Sequence, residues 1–208
     1  MKSAISRRVS GIVRPATSAR RRNHGFGIPL LDLSELRVIL IDDNEFATIL
    51  MKRLLRVMRV AQVTICLDSL AADAAIRQSK ADLVIVDIDM PGRSGLEIIH
   101  DIRHGHVGIA KDTFILVASA HVDLEHVQQA RDQGANWILA KPLSFRTLYD
   151  GIVRAILDDR PFIDSPTYVG PCRRVVTVPL GDPARDRRHG SGDAGQDAGP
   201  AAERARTC

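Results

Sequence analysis

The chain has 208 residues, 45% of them hydrophobic and 26% charged, with a net charge of +4 and a pI near 9.2. That size fits one domain of about 100–150 residues plus extensions. No stretch approaches the roughly 18 consecutive apolar residues of a membrane span, and Cys66, Cys172 and Cys208 lack CxxC or metal-ligand spacing. The charge is uneven: residues 1–35 carry +5, residues 36–158 carry −2 and residues 159–208 carry +1. The basic pI therefore belongs largely to the N-terminal segment.

Residues 1–33 are rich in Arg, Gly and Pro without periodicity, and read as a disordered basic arm. Ser6-Arg7-Arg8 is not followed by the apolar run of an export signal, so the expectation is a cytoplasmic protein. RVILI (37–41) is a short apolar run suited to a buried parallel strand. Asn44 can then cap a helix whose Ala47, Leu50, Met51, Leu54, Leu55 and Met58 recur at three- and four-residue spacing. QVTICL is a second strand, Ser69 caps an Ala-rich helix ending near Ser79, and LVIV (83–86) is a third strand. A helix spans about 94–103, FILVA is the fourth strand, and a helix from about Val122 opens with Asp123 and Glu125 and ends before Gly134. WILA (137–140) is the fifth strand, and Ser144 caps a last helix with Phe145, Leu148, Ile152 and Ile156 on one face. Strand and helix alternate five times across residues 34–158, which predicts an α/β domain with a doubly wound parallel sheet. Residues 159–208 read as a Pro/Gly-rich, mostly disordered tail, with no recognition helix or wing for DNA.

Four polar signals follow apolar runs in fixed order: Asp42-Asp43 after VILI, Asp87 after LVIV, Ser119 after ILVA, and Lys141-Pro142 after WILA. Residues after the strands of a parallel sheet emerge at its carboxyl edge, where such folds place their sites. Three carboxylates, a hydroxyl and an ammonium gathered there suit a hard cation beside a nucleophile, and oxygen ligands with room for water suit Mg2+. Each signal alone is weak, because acid pairs at strand ends are commonly solvated and a Lys before Pro is commonly a surface charge. Their joint order is specific.

These residues, with the segment DLVIVDIDMPGRSGLEII (82–99), resemble the receiver domain of two-component response regulators over about residues 36–158. The resemblance implies a flavodoxin-like fold with strand order 2-1-3-4-5 and Asp87 as phosphoacceptor. It implies that Asp43 and Asp87 ligate Mg2+ directly, Asp42 through water, and Asp89 through its backbone carbonyl. Lys141 would neutralise phosphoryl oxygens and Ser119 would report the modification. A histidine kinase or histidine phosphotransfer protein would supply the phosphoryl group, an unknown downstream protein would read it, and neither membrane nor nucleic acid is implied.

Some positions depart from the family pattern. Ile138, beside Trp137, stands where an aromatic residue is common, and Ser94 where Asp is common. Asp89 and His121 occupy the two positions that tune phosphoryl lifetime in the family. His24, His100, His104, His106, His126 and His189 are expected at the surface without ligand spacing. The tail segment TYVGPCRR (167–174) resembles a motif in tails of some single-domain receivers, with Cys172 in place of Asp; a Pro-Gly turn is the plainer reading.

Competing functions are a phosphorylation-independent adaptor of the same fold, a phosphatase using Asp87-Ile88-Asp89, and a flavin carrier. Chain order opposes the phosphatase, since the acid pair precedes the DxD. The acids of DDNEF repel a flavin phosphate.

Overall fold

The structure, a computed structural model, describes residues 31–173. The chain divides into two compact units, Met1–Pro171 and Cys172–Cys208, and only the first two residues of the second unit are among those described. In the first unit the elements run β1 (Arg37–Ile41), α1 (Glu45–Val57), β2 (Gln62–Cys66), α2 (Ser69–Gln78), β3 (Leu83–Val86), α3 (Gly95–His104), β4 (Phe114–Ser119), α4 (Leu124–Asp132), β5 (Trp137–Ala140), α5 (Phe145–Ile156), β6 (Phe162–Ser165) and β7 (Tyr168–Pro171). The first five strands form one sheet in the order β2-β1-β3-β4-β5, every pair parallel, as expected from five strand–helix alternations.

Side chains of a strand alternate between faces, so each apolar run feeds two cores. Val38, Leu40, Leu83 and Ile85 pack with Leu55 of α1 and Leu148 and Ile152 of α5. Ile39, Ile41, Val84 and Val86 pack on the opposite face with Ile76 of α2, Ile99 of α3 and Ala130 of α4. LVIV is buried at all four positions, which is why its sequence shows no polar alternation. At the lower edge Arg37 grips Asp82 with two side-chain bonds of 2.9 and 2.8 Å, tying β1 to the start of β3.

Local capping explains most helix starts. Asn44 accepts from the Ala47 N–H (3.1 Å) and Ser144 from the Thr147 N–H (3.0 Å), both as expected. The cap of α2 is Asp68 rather than Ser69: its carboxylate accepts from the Ala71 N–H at 2.7 Å and leaves Ser69 as the first helical residue. α4 begins at Leu124, two residues beyond the expected start, because Asp123 serves as its cap and accepts from the His126 N–H (2.9 Å).

Both ends of the expected domain extend further than the sequence suggests. Leu31 and Leu33 fall within the expected basic arm, yet Leu33 is buried in the first core, and Leu31 donates its N–H to the Tyr149 hydroxyl at 2.7 Å. The rest of the arm, and the tail beyond Arg173, lie outside the described residues. Beyond α5 the chain forms an antiparallel hairpin, β6–β7, where a mostly disordered tail was expected. Tyr168 to Pro171 are a buried strand rather than an exposed Pro-Gly turn, and the Tyr168 hydroxyl donates to the Pro171 carbonyl at 2.6 Å.

Arg103, fully buried at the end of α3, organises this corner. Its guanidinium donates to the carbonyls of Gly134 (2.8 Å), Thr113 (2.7 Å) and Lys111, and to the Asn136 side-chain oxygen (3.0 Å), while the Phe162 ring of β6 lies 5.6 Å from its centre. Burial pushes this guanidinium down to about 9, so it remains protonated at neutral pH. Carbonyl oxygens take its hydrogen bonds, and the Asp112 carboxylate adds a favourable charge. Replacing Arg103 by Met keeps much of the volume but leaves several buried acceptors unpaired, each costing about 1–3 kcal/mol. Arg103→Met should therefore lower stability by at least about 2 kcal/mol in urea unfolding followed by circular dichroism. Substitution of the exposed Arg131 by Met should change it by less than about 0.5 kcal/mol.

Candidate functional site

Three backbone ladders continue one residue past their strands and fix the site residues. The N–H of Asp42 donates to Cys66 O (3.1 Å), that of Asp87 to Ile41 O (2.9 Å), and that of Lys141 to Ser119 O (2.8 Å). Asp42, Asp87 and Lys141 thus meet at the carboxyl edge of the sheet, after β1, β3 and β5. The Lys141 ammonium lies 2.6 Å from Asp42 Oδ2 and 2.6 Å from Asp87 Oδ2. Asp43 completes a carboxylate trio: one oxygen from each of Asp42, Asp43 and Asp87 lies within 4.8 Å of the others. Asp42 and Asp87 are buried, whereas Asp43 is exposed.

The loop after Asp87 is held by its own backbone. The Asp89 N–H donates to Asp87 Oδ1 at 3.1 Å, and the chain then turns into α3. Gly95 is needed at that junction. A Cβ there would stand 2.0 Å from the Asp87 carbonyl oxygen, so no larger residue lets α3 start so close to the end of β3. Ser94, an Asp position in the resembled family, caps α3 in a reciprocal box, accepting from Glu97 N–H (3.4 Å) while the Glu97 carboxylate accepts from Ser94 N–H (2.8 Å).

Ser119 is fully buried at the end of β4, but its hydroxyl engages Asp89 Oδ2 (3.0 Å) and the backbone of His121 (2.9 and 3.0 Å). His121 also stands 3.4 Å from the same Asp89 oxygen. The two tuning positions therefore touch one another, with Ser119 between them. Ile138 is half-buried against the second core, and Trp137, 39% exposed, stacks beneath the Arg154 guanidinium at 5.1 Å. The sequence marks Asn44 only as a cap, whereas its N–H also donates to Asp42 Oδ1 at 3.0 Å, and it does not single out Arg93, which binds both Asp73 and Asp101. An Asn two residues after the first acid is a legible signal for the former; nothing local distinguishes Arg93.

The electrostatics are those of one cation shared by crowded acids. Burial raises the Asp42 carboxyl above its ordinary range and outweighs the opposing hydrogen bonds from Lys141 and the Asn44 N–H. Burial alone would lower the Lys141 ammonium, but its bonds to Asp42 and Asp87 reverse the direction and hold it above 10.5. All candidate donors are oxygens, with an exposed approach at Asp43, so the pocket fits a hard divalent cation better than a soft one.

A five-stranded, doubly wound sheet with an acid trio and a lysine at its carboxyl edge defines a receiver-type signalling module. The chain belongs to the response regulator receiver domain family, whose model matches residues 38–153. It is 27% identical over 135 residues to the sensory/regulatory protein RpfC of Xanthomonas campestris pv. campestris, covering 64% of this chain and 18% of that one. It is 26% identical over 113 residues to the chemotaxis protein CheY-3 of Vibrio cholerae, covering 54% of this chain and 85% of that one. Among solved structures, the Vibrio cholerae chemotaxis protein CheY4 superimposes with a TM-score of 0.54 at 25% identity, over 58% of this chain and 98% of that one. Receiver domains are phosphoacceptors of two-component signalling rather than conventional enzymes, and they generally bind Mg2+ through acidic residues. No helix among the described residues is long and apolar enough to cross a membrane.

Removing the Lys141 charge leaves two buried carboxylates facing each other. Lys141→Ala should cost about 2–3 kcal/mol at neutral pH, less than for a fully enclosed pair because Lys141 is 16% exposed. Added Mg2+ should recover part of that loss. The folded-state ammonium value is raised, so its contribution is complete below the ordinary lysine value and is lost as pH rises through the raised folded-state value. Thermal melts should accordingly show an alkaline loss of stability in the wild type that is smaller in Lys141→Ala.

Proposed function

We propose that Asp87 accepts a phosphoryl group from the phosphohistidine of a histidine kinase or histidine phosphotransfer protein, with Mg2+ as cofactor, as one step of a phosphorelay. The observation that carries this reading is the Lys141 ammonium 2.6 Å from both Asp42 and Asp87. Oδ1 of Asp87 is held by the Asp89 N–H, so the carboxylate is oriented before any donor arrives. An Asp87 oxygen attacks phosphorus in line, a new P–O bond forms as the donor P–N bond breaks, and the product is an acyl phosphate. Asp42, Asp43, Asp87 and the Asp89 carbonyl are the proposed metal ligands. A bound Mg2+ supplies positive charge to the transferring oxygens. Lys141 exchanges one carboxylate partner for a phosphoryl oxygen and stays charged throughout.

Ser119 carries the readout in this proposal. To donate to a phosphoryl oxygen its hydroxyl must leave Asp89 and His121, and that exchange moves the loop after β4. The differential contact required for a population shift is thus a single hydroxyl. The downstream reader is a protein that contacts the face formed by α4, β5 and α5, and the setting is the cytoplasm. A phosphorylation-independent adaptor of the same fold is the second reading.

Incubation with a small-molecule phosphodonor and Mg2+ should label the wild type with an acid-labile, hydroxylamine-sensitive phosphoryl group. Asp87→Ala should abolish the label, and Asp43→Asn should reduce it at limiting Mg2+. Undiminished labelling of Asp87→Ala would overturn the assignment, and a wild type that never labels would favour the adaptor. Beryllofluoride with Mg2+ should change Trp137 fluorescence, with Ser119→Ala suppressing the change.

A further inference from the structure

His100, Asp101 and His106 form a second donor cluster among the described residues, with ligating atoms all within 4.8 Å of one another. His100 and His106 were expected at the surface without ligand spacing; both are exposed, and the helix end nonetheless brings them to Asp101. His100 and His104 stand four apart on α3 and so share a face, their rings stacked at 4.0 Å. Gly105 then adopts a left-handed conformation (φ 75°), which reverses the chain. The His106 N–H donates to the Asp101 carbonyl at 2.9 Å, and its ring returns beside the Asp101 side chain. Asp101 Oδ1 ends 3.1 Å from His106 Nδ1 and 3.4 Å from His100 Nδ1.

The other carboxylate oxygen is not free to turn. Arg93 binds Asp101 Oδ2 and also holds Asp73 of α2, so the carboxylate is pinned with Oδ1 facing the two imidazoles. Such outer bonds orient ligands in metal sites. His104 contributes in the same manner: its Nδ1 lies 2.8 Å from the His100 carbonyl, and its ring backs the His100 ring. Burial would raise the Asp101 carboxyl, but hydrogen bonds from His106 and His100 and the charge of Arg93 outweigh it and keep the group below its ordinary value.

Geometry and donor type agree on the ligand. Two atoms each about 2.0–2.1 Å from a metal stand roughly 3.0 Å apart at a right angle and about 3.4 Å apart at a tetrahedral one. The separations of 3.1 and 3.4 Å match that range. Side-chain exposures of 45% for His100, 31% for Asp101 and 60% for His106 leave the donors open to solvent. A cleft of about 300 Å3, lined by Arg93, Leu96, Glu97, His100, Asp101 and Gln133, opens beside them. We propose that His100, Asp101 and His106 bind one divalent transition metal of the zinc class, with water completing its coordination. Imidazole donors select zinc, nickel or copper, whereas the all-oxygen pocket at Asp87 suits Mg2+, so the two sites do not compete. Asp101 lies six residues along α3 from Gly95, about 9 Å of helix. Bound there, the metal ties the end of α3 to the chain beyond Gly105 and, through Arg93, to α2.

The test is titration of the full chain with Zn2+ by calorimetry, with Co2+ as a spectroscopic probe, on wild type, His106→Ala, His106→Gln and His100→Ala. Circular dichroism checks that each variant is folded. The wild type should bind Zn2+ with micromolar affinity and give visible Co2+ absorption characteristic of nitrogen ligation. Each histidine variant should weaken that binding on the order of 10–100-fold and lose the Co2+ spectrum, while His126→Ala and Asp43→Asn should retain both. Millimolar affinity in the wild type overturns the site. So does tight binding that survives His106→Ala and His100→Ala, or that disappears in Asp43→Asn.

Discussion

The contact between the Lys141 ammonium and the carboxylates of Asp42 and Asp87 is the constraint around which this domain is organised. Three acids at the edge of one sheet repel each other, and two of them are buried. A single cation 2.6 Å from both buried carboxylates makes that arrangement tolerable. It also leaves the three-acid pocket with a net charge of −2, with Asp43 exposed. An anionic pocket that lacks one cation is a place for a divalent metal, and a metal-filled pocket favours an incoming anion. Folding and phosphoryl chemistry therefore draw on the same imbalance.

The surrounding structure serves to keep these groups at fixed separations. Ladder bonds carry Asp42, Asp87 and Lys141 one residue beyond their strands, so their backbones have little freedom. Gly95 lets α3 begin in contact with the end of β3, and the capping box at Ser94 fixes the direction in which it leaves. Apolar packing on both faces of the sheet then holds the strands themselves. Ser119 is the exception, because its hydroxyl is bonded to the loop residues Asp89 and His121 rather than to the core. A group held by loop contacts can change partners without disturbing the sheet.

A second polar centre lies at the far end of α3. Arg103 is enclosed by carbonyls and by Phe162, and it joins α3, β4, the α4–β5 turn and the β6–β7 hairpin through one side chain. Two residues earlier on the same helix, Asp101 gathers Arg93, His100 and His106 on the outer surface. α3 thus links the loop after Asp87 at its start to a buried arginine and an exposed histidine cluster at its end.

Much of this was legible in the amino-acid sequence because buried parallel strands and the residues after them are local signals. The runs VILI, LVIV, ILVA and WILA announced the sheet, and the acids, hydroxyl and lysine that follow them announced its carboxyl edge. Asn44 and Ser144 were legible as caps for the same reason, whereas Asp68 displaced Ser69 because two adjacent residues could both cap and only backbone geometry chooses between them. The hairpin was not legible: two four-residue strands have no pattern of their own, and they form against Arg103 and Gly134, residues about 30–60 positions away. The histidine cluster was missed because His106 reaches Asp101 only after the left-handed reversal at Gly105. Sequence determined the sheet, its order of chemistry and the candidate acids, since each depends on a strand and its next residue. Tertiary structure decided which donors share a cation, where the Ser119 hydroxyl points and how the chain closes after α5, since those depend on distances between groups far apart in sequence.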